Sequence, residues 1–393
     1  MINLLPLPGD ATPAVRALGW DWAIEEACQN YVAREAVQLT EREAESLLEA
    51  ADTLYDMLVQ AIPDPISEEF LRKLAIPENL WAAVRHSWED ERHWHLYGRF
   101  DLALTADGPK LLEFNADTAT SLPETAVVQW ASLVAAGQSE EGRQANGLFE
   151  GLEDQFRHWR ALNNDLADSL LLVYLPGSAE DEANCAVLAE AARAAGFPTP
   201  HLCPIDDMRV TVEGADRGVW AETGPEQWQK FDFLFKLVPW EILAEEEPDL
   251  TADLVQLTLS RTVVIANPAY SLLFQSKGLL AHLWDTFPHH PLLLEASLQP
   301  LPGHHVRKPF FGREGQNVAE IETADAPEPK AEVSGDFGQQ PQLYQRWAEL
   351  PTDAQGRRYQ AGVFWAGEAC ALGFRREAGL ITNLSEFVPH LLV

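Results

Sequence analysis

The sequence predicts a fold of mixed α+β and α/β class, in which a helical N-terminal segment precedes a small parallel α/β lobe. Three patterns in the 393 residues indicate this class. Apolar residues recur at helical spacing from Asp21 to about Ala61. A strand, a helix and another strand follow one another between Leu170 and Leu237, an order typical of parallel sheets. From Gln342 onward the chain alternates apolar and polar residues as β-strands do.

The first predicted unit, residues 1–95, is the helical N-terminal segment. Pro63 and Pro65 end its long helix, and shorter helices are expected around residues 67–74 and from Glu78. The apolar stripe of the long helix consists of Leu47, Leu48, Ala51, Leu54, Tyr55 and Leu58.

Three histidines, His86, His93 and His95, lie near the end of this unit. Helical zinc sites commonly place two histidines four residues apart on one face, and these three lack that spacing. We therefore interpret residues 86–95 as a packed junction between a helix and a strand.

The second unit, residues 96–165, is predicted to open with two antiparallel strands, LYGRFDLALTADGPKLLEFNAD, joined by a turn at Asp107-Gly108. We assume a pairing in which the numbers of facing residues sum to 214. The facing pairs are then Arg99/Asn115, Asp101/Glu113, Phe100/Phe114 and Leu102/Leu112. This pairing gives one polar and one apolar face, and a helix over residues 123–136 follows the strands.

The polar face of this strand pair predicts a metal site. Carboxylates directly opposite each other repel, so Asp101 and Glu113 are best explained if a cation lies between them. With the side-chain oxygen of Asn115 they form the hard oxygen donor set that Mg²⁺ prefers. The alternative is a solvated outer face without a metal.

The third unit, residues 166–260, is predicted to be the parallel α/β lobe. Its elements are a buried strand at residues 170–175, an acidic loop PGSAEDE, a helix at 184–195 and a strand at 231–237. Neither a GxGxxG nor a GxxxxGK[ST] motif follows the first strand, so a dinucleotide fold and a Walker-type loop are not supported.

The fourth unit, residues 261–393, contains a strand that ends at Lys308-Pro309, followed by the glycine-bracketed loop FGREGQN. Glycines allow backbone N–H groups to approach phosphates closely, and Lys308 and Arg313 add positive charge. Lys277 begins a predicted helix and is a second lysine suited to nucleotide phosphates. An isolated lysine is more typical of a solvated surface, and it is the two lysines together with the polar face of the strand pair that indicate a site for a metal and a nucleotide.

Composition restricts the partners of the chain. With 28 basic and 61 acidic residues, the formal charge of −33 disfavours nucleic acid and anionic membrane surfaces and favours cationic ligands, unless acidity serves solubility alone. Four cysteines, Cys28, Cys185, Cys203 and Cys370, show no CxxC spacing, which fits a reducing cytoplasm. The N-terminus lacks a signal-peptide pattern, and no run of 18 apolar residues predicts a membrane span.

Several long stretches show that the chain resembles the glutathionylspermidine synthase family of ATP-grasp ligases, and specifically its stand-alone acid–amine ligases without an amidase domain. The matching stretches are YGRFDL, LLEFNADTATSLPE, FLFKLVPWE, NPAYSLLFQSKGLLAHLWDTFPHHP, VRKPFFGREGQNV and GLITNLSEFVPHLL. The resemblance implies an ATP-grasp fold and a reaction in which ATP phosphorylates a carboxylate and an amine then forms the amide.

The resemblance also implies roles for individual residues. Asp101, Glu113 and Asn115 would hold Mg²⁺, with two ions expected, and Arg99 and Arg375 would steady the transferring phosphoryl group. The ATP-binding residues would be Lys277, Lys308, Gly312, Arg313, Gly315, Gln342, Tyr344 and Gln345.

Substrate residues are implied in the same way. Thr118, Ser121 and Lys236 would contact a small-molecule or peptide carboxylate, although the two hydroxyls could instead cap the next helix. Glu180, Asp181 and Glu182 would receive the amine, with a polyamine as candidate, or would form a solvated acidic face. The family's acidic residue near the C-terminal strand has no identified counterpart, which leaves the amine open.

Two other function classes remain as alternatives. One is a regulatory protein that binds a nucleotide without ligating anything. The other is a metal-dependent hydrolase, which the absence of a histidine-rich ligand set disfavours.

Overall fold

The computed structural model describes residues 2–17, 19, 21–24, 31–138, 143–323 and 328–393. Over these residues the strands are β1 (Leu4–Pro6), β2 (Glu35–Leu39), β3 (Gly98–Thr105), β4 (Gly108–Asn115), β5 (Leu170–Tyr174), β6 (His201–Pro204), β7 (Arg209–Thr211), β8 (Gly218–Gly224), β9 (Gln227–Phe231), β10 (Phe233–Lys236), β11 (Val264–Ala266), β12 (Ala296–Ser297), β13 (His305–Pro309), β14 (Ala319–Ile321), β15 (Ala331–Glu332), β16 (Gln342–Arg346), β17 (Arg358–Trp365), β18 (Ala369–Glu377), β19 (Glu386–Val388) and β20 (His390–Leu392). The α-helices are α1 (Thr12–Ala17), α2 (Glu41–Ala61), α3 (Glu68–Lys73), α4 (Trp81–Glu89), α5 (Gln129–Ala135), α6 (Leu148–Leu162), α7 (Ala179–Ala194), α8 (Trp240–Glu246), α9 (Pro248–Leu259), α10 (Ser271–Gln275) and α11 (Gly278–Thr286).

A five-stranded antiparallel sheet in the order β19-β18-β17-β3-β4 forms the centre of the molecule. Helix α2 packs on its apolar face through Leu47, Leu54 and Leu58, which are buried in the same core as Phe100 and Phe114. Thr40 and Glu43 form a capping box that fixes where α2 begins. The opposite, polar face of the sheet is therefore free to carry a site.

The parallel α/β lobe is confirmed. Its four-stranded sheet has the order β11-β10-β5-β6, and all three pairings are parallel. Strand β5 is buried at every residue, as expected for a sheet covered on both faces, and α7 packs against β5 and β6. A separate three-stranded antiparallel sheet, β7-β8-β9, follows in the chain.

A second five-stranded sheet, in the order β12-β16-β13-β14-β15, carries Lys308 and the loop after it. Its pairings are all antiparallel. The strand prediction for residues 305–309 and the return to β structure from Gln342 are confirmed.

Three sequence expectations about elements are wrong. Residues 35–39 form strand β2, because β2 pairs with β1 and with β20 from the other end of the chain, so the N-terminal unit is not all helical. Leu102 pairs with Leu111 instead of Leu112, because a bulge follows Asp101. The acidic run 180–182 lies in the first turn of α7, capped by Ser178, and not in a loop.

The described cysteines, Cys185, Cys203 and Cys370, are free thiols, and Cys28 lies outside the described residues. In the described parts of the chain no helix has the length and apolar character needed to cross a bilayer. The long apolar-striped helix α2, for example, carries charged residues along its exposed face.

Candidate active site

The strand pair β3-β4 places its polar residues as the sequence predicts. Asp101 faces Glu113, and Arg99 faces Asn115. The bulge lies beyond Asp101 and leaves this part of the pairing intact. Two carboxylates and an amide oxygen are therefore displayed on one face of the central sheet.

A hydrogen-bond network holds Asp101, which is buried. Arg99 donates from Nε to Asp101 Oδ1 at 2.8 Å and from Nη1 to the Thr120 carbonyl at 2.8 Å. Asn115 Nδ2 donates to Asp101 Oδ2 at 3.1 Å. Because the Asn115 amide uses its N–H here, its carbonyl oxygen remains to serve as a metal ligand. The donor set thus fits a hard cation such as Mg²⁺.

Two buried lysines approach Glu113 from the neighbouring elements. Lys277 Nζ lies 3.4 Å from Glu113 Oε2 and donates to the Gly312 carbonyl at 2.8 Å. Lys308 Nζ donates to Gln345 Oε1 at 3.0 Å. Burial lowers the pKa of Lys308 to about 8, although Glu113 acts in the opposite direction. Burial alone would raise the pKa of Glu113, but the positive charges of Lys277 and Lys308 lower it.

The loop of residues 310–317 covers this group. Arg313 donates from Nη1 to Thr118 Oγ1 at 3.0 Å and from Nη2 to Glu241 Oε1 at 2.5 Å, so the loop is tied to the central sheet and to α8. Gly315 has a φ of 73°, and a Cβ there would lie 2.4 Å from the Ile381 carbonyl oxygen. Glycine is therefore required where the loop meets the C-terminal segment.

These elements enclose one cleft of about 490 Å³. Fourteen of the nineteen predicted site residues line it: Arg99, Asp101, Glu113, Asn115, Thr118, Glu180, Asp181, Lys277, Lys308, Gly312, Arg313, Gly315, Gln345 and Arg375. Ser121, Glu182, Lys236, Gln342 and Tyr344 do not line it. The structure therefore places the residues predicted to bind metal, most of those predicted to bind ATP, and both predicted phosphoryl-transfer arginines in one cleft.

Arg375 enters the cleft from β18. It donates from Nη2 to Ser121 Oγ at 2.7 Å and from Nη1 to the Asn383 carbonyl at 2.5 Å. Glu124 lies behind it, fully buried, with Oε1 4.0 Å from Arg375 Nη2 and 2.7 Å from the Tyr31 hydroxyl that donates to it. Ser121 does not line the cleft, but it positions Arg375 by accepting this hydrogen bond.

Lys236, predicted to contact the carboxylate substrate, lies buried behind the cleft. Its Nζ donates to both oxygens of Asp117, at 2.9 and 3.1 Å, and both side chains are fully enclosed. The Trp240 N–H donates to Asp117 Oδ2 at 2.9 Å as well. Burial lowers the pKa of Lys236, while Asp117 acts to raise it.

We expect the Lys236→Met variant to unfold more easily by ~3–5 kcal/mol, because it leaves the Asp117 carboxylate buried without a cation. Urea unfolding compared with Lys230→Met, a half-buried lysine on β9, measures this loss. A Lys236 variant that keeps its stability but loses affinity for the acid would instead support substrate contact.

The chain is similar to known proteins in its sequence and in its fold. The model of the family described as glutathionylspermidine synthase preATP-grasp matches residues 5–393. The chain belongs to the glutathionylspermidine synthase family. A Haemophilus influenzae protein named "Putative acid--amine ligase" is 31% identical over an alignment of 368 residues, and the alignment covers 91% of this chain and 90% of that protein.

Larger proteins also match this family member. The bifunctional glutathionylspermidine synthetase/amidase of Escherichia coli is 27% identical over 90% of this chain, which spans 59% of that protein. The trypanothione synthetase of Crithidia fasciculata is 26% identical over 84% of the chain, which spans 52% of it. The solved structure of a glutathione synthetase-like effector from Globodera pallida has a TM-score of 0.51 at 9% identity over 98% of both chains, so the two share a fold. The ATP-grasp fold prediction is confirmed.

Sequence reasoning missed several residues that line the cleft of this family member. Gln360 on β17 faces Arg375 across the strand pair, and Gly362, two residues on, leaves space for the Arg99 side chain. The alternation in YQAGVFW could have identified Gln360, because Tyr359, Ala361 and Val363 are the buried positions. Arg346, the last residue of β16, and Trp347, Ala348 and Leu350 after it also line the cleft, and the β pattern of this stretch did not indicate that they would.

Proposed function

We propose that this chain is an ATP- and Mg²⁺-dependent carboxylate–amine ligase that forms an amide through an acyl phosphate, as a glutathionylspermidine synthase-like enzyme. The observation that carries the proposal is the convergence of Asp101, Glu113, Lys277 and Lys308 under one glycine-containing loop. The names of the relatives, "Putative acid--amine ligase", "Bifunctional glutathionylspermidine synthetase/amidase" and "Trypanothione synthetase", support a ligase of this class.

In this proposal the polar face of β3-β4 holds Mg²⁺. Asp101, Glu113 and Asn115 supply oxygen ligands, and two ions suit a triphosphate. When bound, the metal neutralises phosphate charge. Lys277 and Lys308, which contact Glu113 or lie near it in the structure, would turn to the phosphates as point charges.

The nucleotide base would occupy the apolar end of the cleft. The cleft wall includes the apolar residues Leu112, Val306, Val318 and Leu350, and Gln345 pairs with Val306 on the neighbouring strand. Gln342 and Tyr344, which were predicted near the adenine, alternate to the other face of β16. We therefore propose that Gln345 and the segment 346–350 contact the base.

The two arginines of the cleft would act on the reacting groups. An oxygen of the substrate carboxylate attacks the γ-phosphorus of ATP, and ADP leaves with the electron pair of the broken P–O bond. The amine then attacks the acyl carbon, loses a proton, and inorganic phosphate leaves. Arg99 and Arg375 offer bidentate, permanently charged donors to the transferring phosphoryl group. Arg313 Nη1 donates to Thr118 Oγ1 at 3.0 Å. These two residues would form the part of the cleft wall that contacts the substrate acid.

Glu180 and Asp181 at the start of α7 would receive the amine, with a polyamine as candidate. Both line the cleft, whereas Glu182 is exposed to solvent. Burial, with the nearby charge of Glu124, raises the pKa of Glu180 to about 7. Burial also raises the pKa of Asp181.

This raised pKa predicts a pH dependence of amine binding. A group whose pKa is raised to about 7 is neutral below that pH and charged above it. We expect the KM of a cationic amine to fall by about 5-fold from pH 6 to pH 8, as for a partly exposed ion pair. In Glu180→Gln the dependence should vanish, whereas the matched variant Glu182→Gln should keep it. Equal pH profiles in the wild type and Glu180→Gln would contradict the assignment.

Product analysis tests the proposed function. We expect phosphate and ADP to be released only when both an acid and an amine from a panel of peptides and polyamines are present, with an amide detected by mass spectrometry. ATP binding without such release would indicate a regulatory nucleotide binder. Turnover of substrate without ATP would indicate a metal-dependent hydrolase.

A further inference from the structure

A second group of metal-ligating side chains lies outside the cleft, where α4 ends. His86 and Asp90 are four residues apart at the end of this helix, and His93 follows in the segment that leads to β3. One ligand atom from each of the three residues lies within 4.8 Å of the other two. The His86 and His93 rings meet edge to face, with centroids 5.3 Å apart. The predicted helix-to-strand junction is therefore present, with Asp90 supplying the four-residue spacing that the histidines lack.

The polar atoms of this cluster lack hydrogen bonds. His86 Nε2, Asp90 Oδ2 and both ring nitrogens of His93 are buried without a hydrogen-bond partner among the described residues. His93 is only 3% exposed. Buried imidazoles normally have a partner, as His95 does: its Nε2 lies 2.7 Å from the Ala116 carbonyl oxygen. Three residues with unsatisfied buried atoms, whose ligand atoms lie within 4.8 Å of one another, form a candidate cation site.

We propose that His86, Asp90 and His93 bind a Zn²⁺ ion. Two imidazoles and a carboxylate are a zinc donor set, with water in the fourth position. The Arg92 N–H donates to Asp90 Oδ1 at 3.2 Å, which orients Oδ2 toward the histidines. The ion would fasten the end of α4 to the segment entering β3, the strand that carries Arg99 and Asp101.

Arg261 is the charged neighbour that competes with the ion. Its Nη2 lies 2.9 Å from Asp90 Oδ2, as an ion pair without hydrogen-bond geometry. The Arg261 side chain is 57% exposed and can turn to solvent when a cation takes its place. Removing Arg261 should therefore tighten metal binding.

The test measures Zn²⁺ binding to the untagged 393-residue chain after treatment with a chelator. Zinc also binds carboxylate pairs, so all variants are made in an Asp101→Asn background, in which the pair in the cleft is broken. We expect one equivalent of Zn²⁺ to survive desalting and to raise the melting temperature, and Co²⁺ to give the visible absorption of a tetrahedral site.

Three variants decide the outcome. His86→Gln and Asp90→Asn should each weaken Zn²⁺ at least ~10-fold, the smallest effect usual for a residue that merely supports a ligand, and Arg261→Ala should strengthen it. If His86→Gln does not fold, the partly exposed Asp90→Asn gives the answer. Less than one equivalent bound, unchanged affinity in Asp90→Asn, or weaker binding in Arg261→Ala would overturn the proposal.

Discussion

If Asp101 is the metal ligand proposed above, the Asp101→Asn variant should lose ATP turnover by ~10³-fold or more, because it removes a charge that would stabilise phosphoryl transfer through the metal. Asparagine has the same shape, and its side-chain oxygen can still accept from Arg99 Nε. The hydrogen bonds that Asp101 Oδ2 accepts from Arg99 and Asn115 are lost, so circular dichroism and the melting temperature are compared with the wild type. The substitution removes one of the two carboxylates that face each other across β3-β4. Turnover is measured as acid- and amine-dependent release of phosphate.

A matched control lies on the same strand pair. Asp107 is exposed in the turn between β3 and β4 and is absent from the cleft wall. Asp107→Asn makes the same chemical change and should keep normal turnover. Near-normal turnover of correctly folded Asp101→Asn would remove Asp101 from the metal site.

The second large effect is expected for Lys308→Ala. Lys308 is the buried cation of β13, and truncation leaves Glu113 with Lys277 as its close cationic partner. Loss of a preorganised charge at the phosphates should raise the KM for ATP and lower kcat, for a combined loss of ~10³-fold in kcat/KM. Initial rates over a range of ATP concentrations separate the two parameters.

Lys330→Ala is the control for this variant. Lys330 lies just before β15 in the same region of the chain and is 48% exposed, with Glu320 and Glu322 as ion-pair partners. Its loss should leave kcat/KM for ATP within about 2-fold of normal, since Lys330 is absent from the cleft wall and a half-exposed lysine contributes little through its ion pairs. A kcat/KM in Lys308→Ala no lower than in Lys330→Ala would contradict the phosphate role.

The polar face of β3-β4 could be predicted because side-chain alternation and a short turn fix which residues face each other. Asp101 and Glu113 came together on that basis alone. The bulge after Asp101 could not be predicted, since nothing local distinguishes Leu111 from Leu112 as the partner of Leu102. It left Asp101 and Glu113 facing each other because it lies on the turn side of the acids, but it turns Leu112 from the expected apolar face into the cleft wall.

Other parts of the site depended on contacts between distant segments. Lys236 matched a substrate position by resemblance. Its partner Asp117 is 119 residues away in sequence, and both side chains are buried. Strand β2 was missed for the same reason, because its pairing with β20 joins the two ends of the sequence. By contrast, alternation along β16 could have separated Gln345 from Gln342 and Tyr344.

The position of Lys277 has a consequence for the order in which ligands arrive. Its ammonium group is shared between the Glu113 carboxylate and the Gly312 carbonyl. A divalent cation that binds alone would lie beside the positively charged Lys277. A free anion that binds alone would have to displace the carboxylate of Glu113, which is part of the protein. A complex of a divalent cation with a phosphate could replace both partners at once, because its cation would lie beside Glu113 and its anion beside Lys277. The affinities of the cleft for the cation and for the phosphate would therefore be reciprocally linked. We therefore expect simple salts to compete weakly for this site, because Lys277 and Glu113 neutralise each other.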